Sequence, residues 1–150
     1  YNNYGILKGE RFMARQRTGN SNLTKRDLEV MTILWSGEGS KTASLIVKDN
    51  PELTMNTVQA VLRKLLKDKL IKVADIVYSG TVLTRSYEPM VSQEKFWIQK
   101  LVADYQEISN KVSKADIIAA LLDTSKNTEK IKEDILEIDS VLDGYKKKYL

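Results

Sequence analysis

The sequence contains no cysteine and no histidine. Without cysteine the chain can form no disulfide, no thiolate zinc site and no cysteine nucleophile, and without histidine it lacks the commonest general base and transition-metal ligand. No apolar run approaches the roughly 20 residues that a membrane-spanning helix needs, and no signal peptide leads the chain. The last two absences predict a cytoplasmic protein that has no membrane partner.

Charged residues are unevenly distributed along the 150 residues, of which 42% are hydrophobic, enough for one medium domain or two small ones. The net charge is +4. Residues 20–91 hold ten basic and eight acidic side chains, and this small excess of +2 is weak evidence for a nucleic-acid partner. The local pattern is stronger evidence, because a basic cluster contains the single acid Asp68. The cluster consists of Arg63, Lys64, Lys67, Lys69 and Lys72.

Three helices are predicted before residue 70. Thr24, Thr42 and Thr54 can each cap a helix start, and Asp27 can complete a capping box with Thr24. The second helix is expected to end before Pro51. Apolar residues recur at helical spacing in the first and third segments. They are Leu28, Met31, Leu34 and Trp35, followed by Val58, Val61, Leu62, Leu65 and Leu66.

The next segment, LIKVADIVYSGTVLTRSYEPM, is rich in β-branched residues and tyrosine, with Ser79-Gly80 at its middle. This composition predicts two strands joined by a tight turn. Three helices followed by a hairpin are the order of a winged helix-turn-helix domain, in which the third helix enters the major groove of DNA. We therefore predict a mainly α protein whose DNA-binding domain spans residues 23–91.

Residues 92–150 are predicted to form a helical dimerisation domain, with helices opening at Ser92, Ser113 and Thr128. In the last helix, apolar residues recur at alternating spacings of four and three residues, which is a coiled-coil seam. The residues of this seam are Ile131, Ile135, Ile138, Leu142, Tyr145 and Tyr149. An isolated helix of this length is marginal in water, so the seam needs a partner. Covering its own domain is the alternative, and Phe96, Trp97 and Tyr105 could instead line a ligand pocket. The predicted dimer residues are Phe96, Trp97, Leu101, Ile131, Ile135, Ile138, Leu142 and Tyr145.

The outer face of the third helix is a solvated surface or a base-reading surface. Asparagine and glutamine pair with adenine, arginine pairs with guanine, and small methyl groups pack on thymine, which favours DNA. The predicted base-reading residues are Asn56, Thr57, Gln59, Ala60, Arg63 and Lys64. The predicted phosphate contacts are Thr42, Lys67, Lys72 and Arg85.

Segments that resemble phosphate-binding or catalytic motifs are incomplete. GEGSKT, at residues 37–42, lacks the glycine before lysine and the preceding strand of a phosphate-binding loop. The pairs Ser40-Lys41 and Ser113-Lys114 have no accompanying oxyanion hole. The carboxylates show no metal-ligand spacing. The sequence therefore predicts no enzyme, no catalytic residue, no metal and no cofactor.

The segments LTKRDLEVMTILW, TMNTVQAVLRKLLKDKLI and YEPMVSQEKF, followed by a helical tail, resemble the penicillinase and methicillin-resistance repressor family. The similarity runs from about Leu23 to the C-terminus. The resemblance implies a homodimeric transcriptional repressor with an N-terminal winged helix and a C-terminal helical dimerisation domain. It also implies a palindromic double-stranded DNA operator that overlaps a regulated promoter.

The resemblance places Asn56, Thr57, Ala60 and Lys64 at recognition positions, with Arg63 adjacent. Family members often have threonine where Ala60 stands and arginine where Lys64 stands. Lysine lacks the planar, bidentate donor geometry of arginine. We therefore expect the preferred operator to differ, or to be bound less tightly.

The inducing signal is left open. Antibiotic-responsive members are inactivated by cleavage of an Asn-Phe bond, whose place is taken here by Ala120-Leu121. This departure argues against release by the family protease, although a sensor or protease partner remains an option. A related copper-responsive branch carries Cys-x-Cys motifs, and the absence of cysteine excludes metal sensing of that type.

Residues 1–22 are predicted to be a leader or a flexible basic N-terminus. Lys8-Gly9-Glu10 is what a purine-rich ribosome-binding sequence would encode, and Met13 follows at the distance of a start codon. One hypothesis is that translation normally starts at Met13. The alternative is a basic arm that touches the minor groove.

The sequence is also compatible with two other functions. The small net charge of residues 20–91 fits a winged-helix module that binds a protein partner and no DNA. The second alternative is a regulator that responds to a small ligand bound near Trp97. The distribution of the basic residues over the folded surface separates the first of these from a DNA-binding repressor.

Overall fold

The structure, a computed structural model, describes residues 23–150. The predicted leader or basic N-terminus, residues 1–22, lies outside the described residues, as does the start predicted at Met13. The elements in chain order are α1 (Lys25–Ser36), β1 (Lys41–Thr42), α2 (Ala43–Asp49), α3 (Met55–Lys67), β2 (Ile71–Ser79), β3 (Val82–Pro89), α4 (Gln93–Ile108), α5 (Lys114–Asp123) and α6 (Thr128–Tyr149). The predicted fold class, mainly helical with a winged helix-turn-helix order, is confirmed.

Hydrogen bonds between N-cap side chains and nearby backbone N–H groups stabilise the first turns of the helices. The backbone N–H of Asp27 donates to Thr24 Oγ1 at 3.2 Å, and the Thr24 N–H donates to Asp27 Oδ2 at 2.7 Å, which completes the capping box. Thr42 and Thr54 accept in the same way from Leu45 and Thr57. These predicted caps are confirmed. The last helix differs, because Asn127 caps it and Thr128 is its first residue.

The antiparallel sheet has the strand order β1-β3-β2. The short strand β1 was not predicted, because two residues carry no alternation pattern. It forms where Lys41 pairs with Tyr87 and Thr42 with Ser86. Strands β2 and β3 form the predicted hairpin, and Gly80, with φ of +65°, begins its two-residue turn. The register of the β2–β3 pairing shifts between Val73 and Asp75, as it does at a β-bulge.

Inter-residue contacts divide the chain into two units, with the boundary between Trp97 and Ile98. The first unit has a core of apolar side chains from α1, α2, α3 and β2 and from the two loops that flank α3. Its buried members are Val30, Met31, Leu34, Ile46, Leu53, Val58, Val61, Leu62, Leu65, Leu70 and Ile71. Trp35 Nε1 donates to the Val91 carbonyl at 2.9 Å, and the rings of Trp35 and Phe96 lie 5.3 Å apart. The start of α4 therefore packs with the first unit, and the boundary predicted after residue 91 stays a prediction.

The second unit, Ile98–Leu150, contains the remainder of α4 and all of α5 and α6. None of these three helices contains a buried residue. Helix α5 opens as predicted at Ser113, which is its N-cap and forms a capping box with Asp116. Because the unit buries none of its helical side chains, a single chain leaves much apolar surface in water. Within residues 23–150, no helix combines the length and the apolar character needed to cross a membrane.

The C-terminal end of α3 contains a backbone conformation that lysine adopts with strain. The N–H groups of Lys69 and Leu70 bond the carbonyls of Leu66 and Leu65 at 3.1 and 3.0 Å, which is the Schellman arrangement. It requires Lys69 to have a φ of +57°. Glycine is the usual residue at this position because it has no Cβ.

We expect Lys69→Gly to stabilise the folded protein by about 0.5–1 kcal/mol, because the strain of the left-handed conformation exceeds the entropy that glycine loses on folding. The urea midpoint should rise while the slope of the transition stays the same. Lys69→Ala is the control, since it removes the same charge and keeps the Cβ. Equal midpoints for the glycine and alanine variants would contradict this explanation.

Candidate nucleic-acid interface

Helix α3 has one buried face and one exposed face. Val58, Val61, Leu62 and Leu65 are buried in the core of the first unit. The opposite face, which we name the α3 stripe, repeats at three- and four-residue intervals along the helix. The α3 stripe consists of the exposed residues Asn56, Gln59, Ala60, Arg63 and Lys67. Five of the predicted DNA-contacting residues therefore share one accessible face.

The chemistry of the α3 stripe suits the edges of bases. Its amides can pair with adenine, its guanidinium with guanine, and the Ala60 methyl can pack on a thymine methyl. Helix α3 contains no acidic residue to repel DNA. Asp68 follows the helix as its C-cap, with a buried Oδ2. Asp68 is half-buried and is not part of the α3 stripe.

Two predicted base-reading residues lie at the edge of the stripe and are half-buried. The Thr57 hydroxyl lies 2.9 Å from the hydroxyl of Thr54, the cap of α3. Lys64 Nζ forms an ion pair with Asp27 of α1, and 37% of its side chain is exposed. Base reading by both residues stays a prediction, and the ammonium of Lys64 is engaged inside the protein.

Asp27 is the partner that sequence reasoning missed. Its side chain is 3% exposed. Burial alone would raise the pKa of its carboxyl, but hydrogen bonds from Lys64 and from the backbone and hydroxyl of Thr24 outweigh burial and lower the pKa below its ordinary value. Asp27 is therefore ionised at neutral pH and forms a true ion pair with Lys64. The two residues are 37 positions apart, so no local pattern could have paired them.

The hairpin of β2 and β3, which we name the wing, carries the other predicted phosphate contacts. Arg85 is exposed and lies opposite Ile76. Lys72 is exposed too, with its Nζ 2.9 Å from a carboxylate oxygen of Glu88. An exposed pair of this kind contributes little to stability, so Lys72 can exchange its partner for a phosphate at low cost.

Three exposed apolar residues lie beside Arg85 on the wing and were not among the predicted site residues. Ile76, Tyr78 and Leu83 are 60%, 73% and 58% exposed. Cross-strand pairing places Tyr78 opposite Leu83 and Ile76 opposite Arg85, so the four side chains lie on one face of the hairpin. Because side chains alternate between the two faces of a strand, the sequence could have predicted that these residues share a face.

Thr42 and Phe96 have roles inside the first unit. Thr42 is only 5% exposed, and its hydroxyl accepts from the N–H of Leu45 to cap α2. Phe96 packs against the core and against Trp35. Their predicted roles in phosphate binding and in dimerisation stay predictions, and neither placement favours them.

The other predicted dimer residues are more accessible. Trp97, the last residue of the first unit, is 43% exposed. Of the predicted dimer residues in the second unit, Ile131 and Ile138 are half-buried and the others are exposed. The exposed ones are Leu101, Ile135, Leu142 and Tyr145. The rings of Tyr145 and Tyr149 stack 6.1 Å apart at the end of the α6 seam.

Among the residues described, no group of three or more acidic side chains is arranged to hold a metal ion. A family model described as penicillinase repressor matches residues 23–143. No curated protein matches the chain. The matched range begins before α1 and ends within α6, so it includes residues of both units.

Proposed function

The chain belongs to the penicillinase repressor family and is a DNA-binding transcriptional repressor, and we propose that it acts as a homodimer on a palindromic operator. The observation that carries the proposal is the α3 stripe, which is exposed, free of acids and placed on the third helix of a winged-helix fold. This helix is the one that such domains insert into the major groove.

We assign base reading to Asn56, Gln59, Ala60 and Arg63, with Thr57 at the edge of the contact. Lys67 and the wing residues Lys72 and Arg85 contact phosphates and position the domain on the duplex. Thr42 is left out of the proposed interface because its hydroxyl is buried in the cap of α2.

The homodimer is proposed from the surface of the second unit. Its helices contain no buried residue, and large apolar side chains are exposed on all of them. A monomeric protein rarely leaves that much apolar surface in water. A second copy of this chain covers it at a gain of about 25 cal/mol per Å², and a two-fold dimer matches a two-fold operator.

Selection from a random pool of duplex DNA tests the proposal. The wild-type chain should enrich an inverted repeat, with half-sites spaced by about one or more helical turns. Its affinity should fall steeply as salt rises, because phosphate contacts release counterions. Enrichment of no sequence would refute the proposal, and enrichment of a single unrepeated half-site would refute the dimeric part of it.

A winged-helix module that binds a protein partner is the second candidate. The apolar face of the wing, formed by Ile76, Tyr78 and Leu83, is the observation that favours it. This candidate would be supported if the wild-type chain enriched no DNA sequence. A cytoplasmic location, release by a sensor or protease, and the relation to copper-responsive repressors all stay predictions.

A further inference from the structure

One carboxylate oxygen joins two elements of the first unit. Asp27 Oδ2 accepts from the backbone N–H of Thr24 at 2.7 Å, at the start of α1, and from Lys64 Nζ in α3. Asp27 is 2% exposed, so its charge is removed from water and depends on these donors. The oxygen therefore links the first turn of α1 to the middle of α3.

The link is directional, whereas the packing around it is not. Apolar contacts between α1 and α3 resist separation of the helices, but burial of apolar area has no preferred direction. A hydrogen-bonded ion pair has a preferred distance and angle. The pair thus adds a directional restraint on the rotation of α3 about its own axis to the restraint that core packing already provides.

Rotation of α3 matters because Lys64 directly follows Arg63 in the helix. Successive residues are about 100° apart around a helix, so the direction of one sets the direction of the other. When Lys64 faces Asp27, Arg63 and Gln59 lie on the exposed stripe. A bidentate contact to a base tolerates little angular error, because both of its hydrogen bonds must form together.

We propose that Asp27 and Lys64 are positioning residues that hold the α3 stripe at the angle required for reading bases, and that Lys64 itself does not select a base. The proposal rests on the proposed function, since it concerns how the same surface recognises DNA. Lys64 then affects recognition by positioning α3 and not by contacting a base. Asp27 affects specificity in the same indirect way, although it is buried and DNA cannot reach it.

Asp27→Asn is the most informative variant, because it removes no cation and no exposed group. We expect operator affinity itself to fall, so that its ratio to the affinity for an unrelated duplex drops about tenfold. Affinity for the unrelated duplex should not fall, because the variant loses a negative charge and keeps every cation. Binding is measured where circular dichroism shows every variant to be folded. A role in stability alone would leave the ratio at its wild-type value.

A double-mutant cycle separates positioning from direct reading. Lys64→Met should lower the ratio by a similar factor, and adding it to Asp27→Asn should lower it by no more than about twofold further. If Lys64 selects a base, the methionine change will cost as much in both backgrounds and will relax the preference at one operator position. Additive effects of this kind would overturn the proposal.

Two further variants complete the experiment. Lys64→Arg preserves the ion pair and should retain the wild-type ratio, so it decides the question together with Lys64→Met if Asp27→Asn does not fold. Glu29→Gln is the matched control, because it removes the ion pairs that Glu29 forms with Lys25 and Arg26 within α1 and should leave the ratio unchanged. If the wild-type chain shows no operator preference, the proposed function itself fails. If wild type shows the preference and Asp27→Asn keeps it, only this inference fails.

Discussion

Replacing both Ile135 and Leu142 by aspartate is expected to give folded monomers that bind the operator at least a hundredfold more weakly than wild type. The two residues are 48% and 45% exposed in the single chain and lie two turns apart on the α6 seam. Two charges at these positions would have to be desolvated in a dimer. Without the dimer, the second half-site no longer adds to the first, and linked binding of this kind contributes about 10²–10⁴ in affinity.

Sedimentation velocity measures the first part of this result, and gel shifts with full and half operators measure the second. The variant should bind a full operator no better than a half operator. The matched control is the double change Leu136→Asp with Val141→Asp, on the same helix but off the seam, at positions that are 70% and 59% exposed. The control should remain dimeric. A seam variant that sediments as a folded dimer would place the dimer contact elsewhere.

Local interactions explain why so many elements could be predicted. Thr24, Thr42, Thr54 and Ser113 each cap a helix through an N–H group three residues ahead, so the start of the helix is encoded within four residues. The hairpin was equally accessible, because Gly80 supplies the positive φ that its turn requires. Strand β1 could not be predicted, since its two residues become a strand only by pairing with Tyr87 and Ser86.

The candidate site was predictable to the extent that it follows from helical periodicity. The exposed and buried faces of α3 alternate at the period of the helix, so Asn56, Gln59 and Arg63 could be assigned to one face from the sequence. The engagement of Lys64 by Asp27 depends on contact between two helices distant in sequence, and the burial of Thr42 depends on packing. Periodicity identifies the side of a helix, whereas tertiary contacts determine which of its polar groups are already occupied.

Arg63→Ala is the second change with a large expected effect. If Arg63 donates two hydrogen bonds to a guanine, alanine should cost about 1–3 kcal/mol of operator affinity per half-site and remove the preference for guanine at one position in each half-site. Affinity for an unrelated duplex should change far less. Repeating the selection with the variant measures the preference, and titrations with operator and unrelated duplex measure the affinities.

Two control variants are needed to interpret the result for Arg63→Ala. Lys67→Ala removes a positive charge from the same α3 stripe, and as a phosphate-binding residue it should weaken operator and unrelated duplex alike. It should also reduce the slope of log affinity against log salt by about one for each phosphate that is no longer neutralised. Lys25→Ala removes a lysine whose side chain is 89% exposed on α1, and it should change neither quantity. If Arg63→Ala behaves like Lys67→Ala, with every base preference intact, then Arg63 contacts phosphate and the base reading belongs to Asn56 and Gln59.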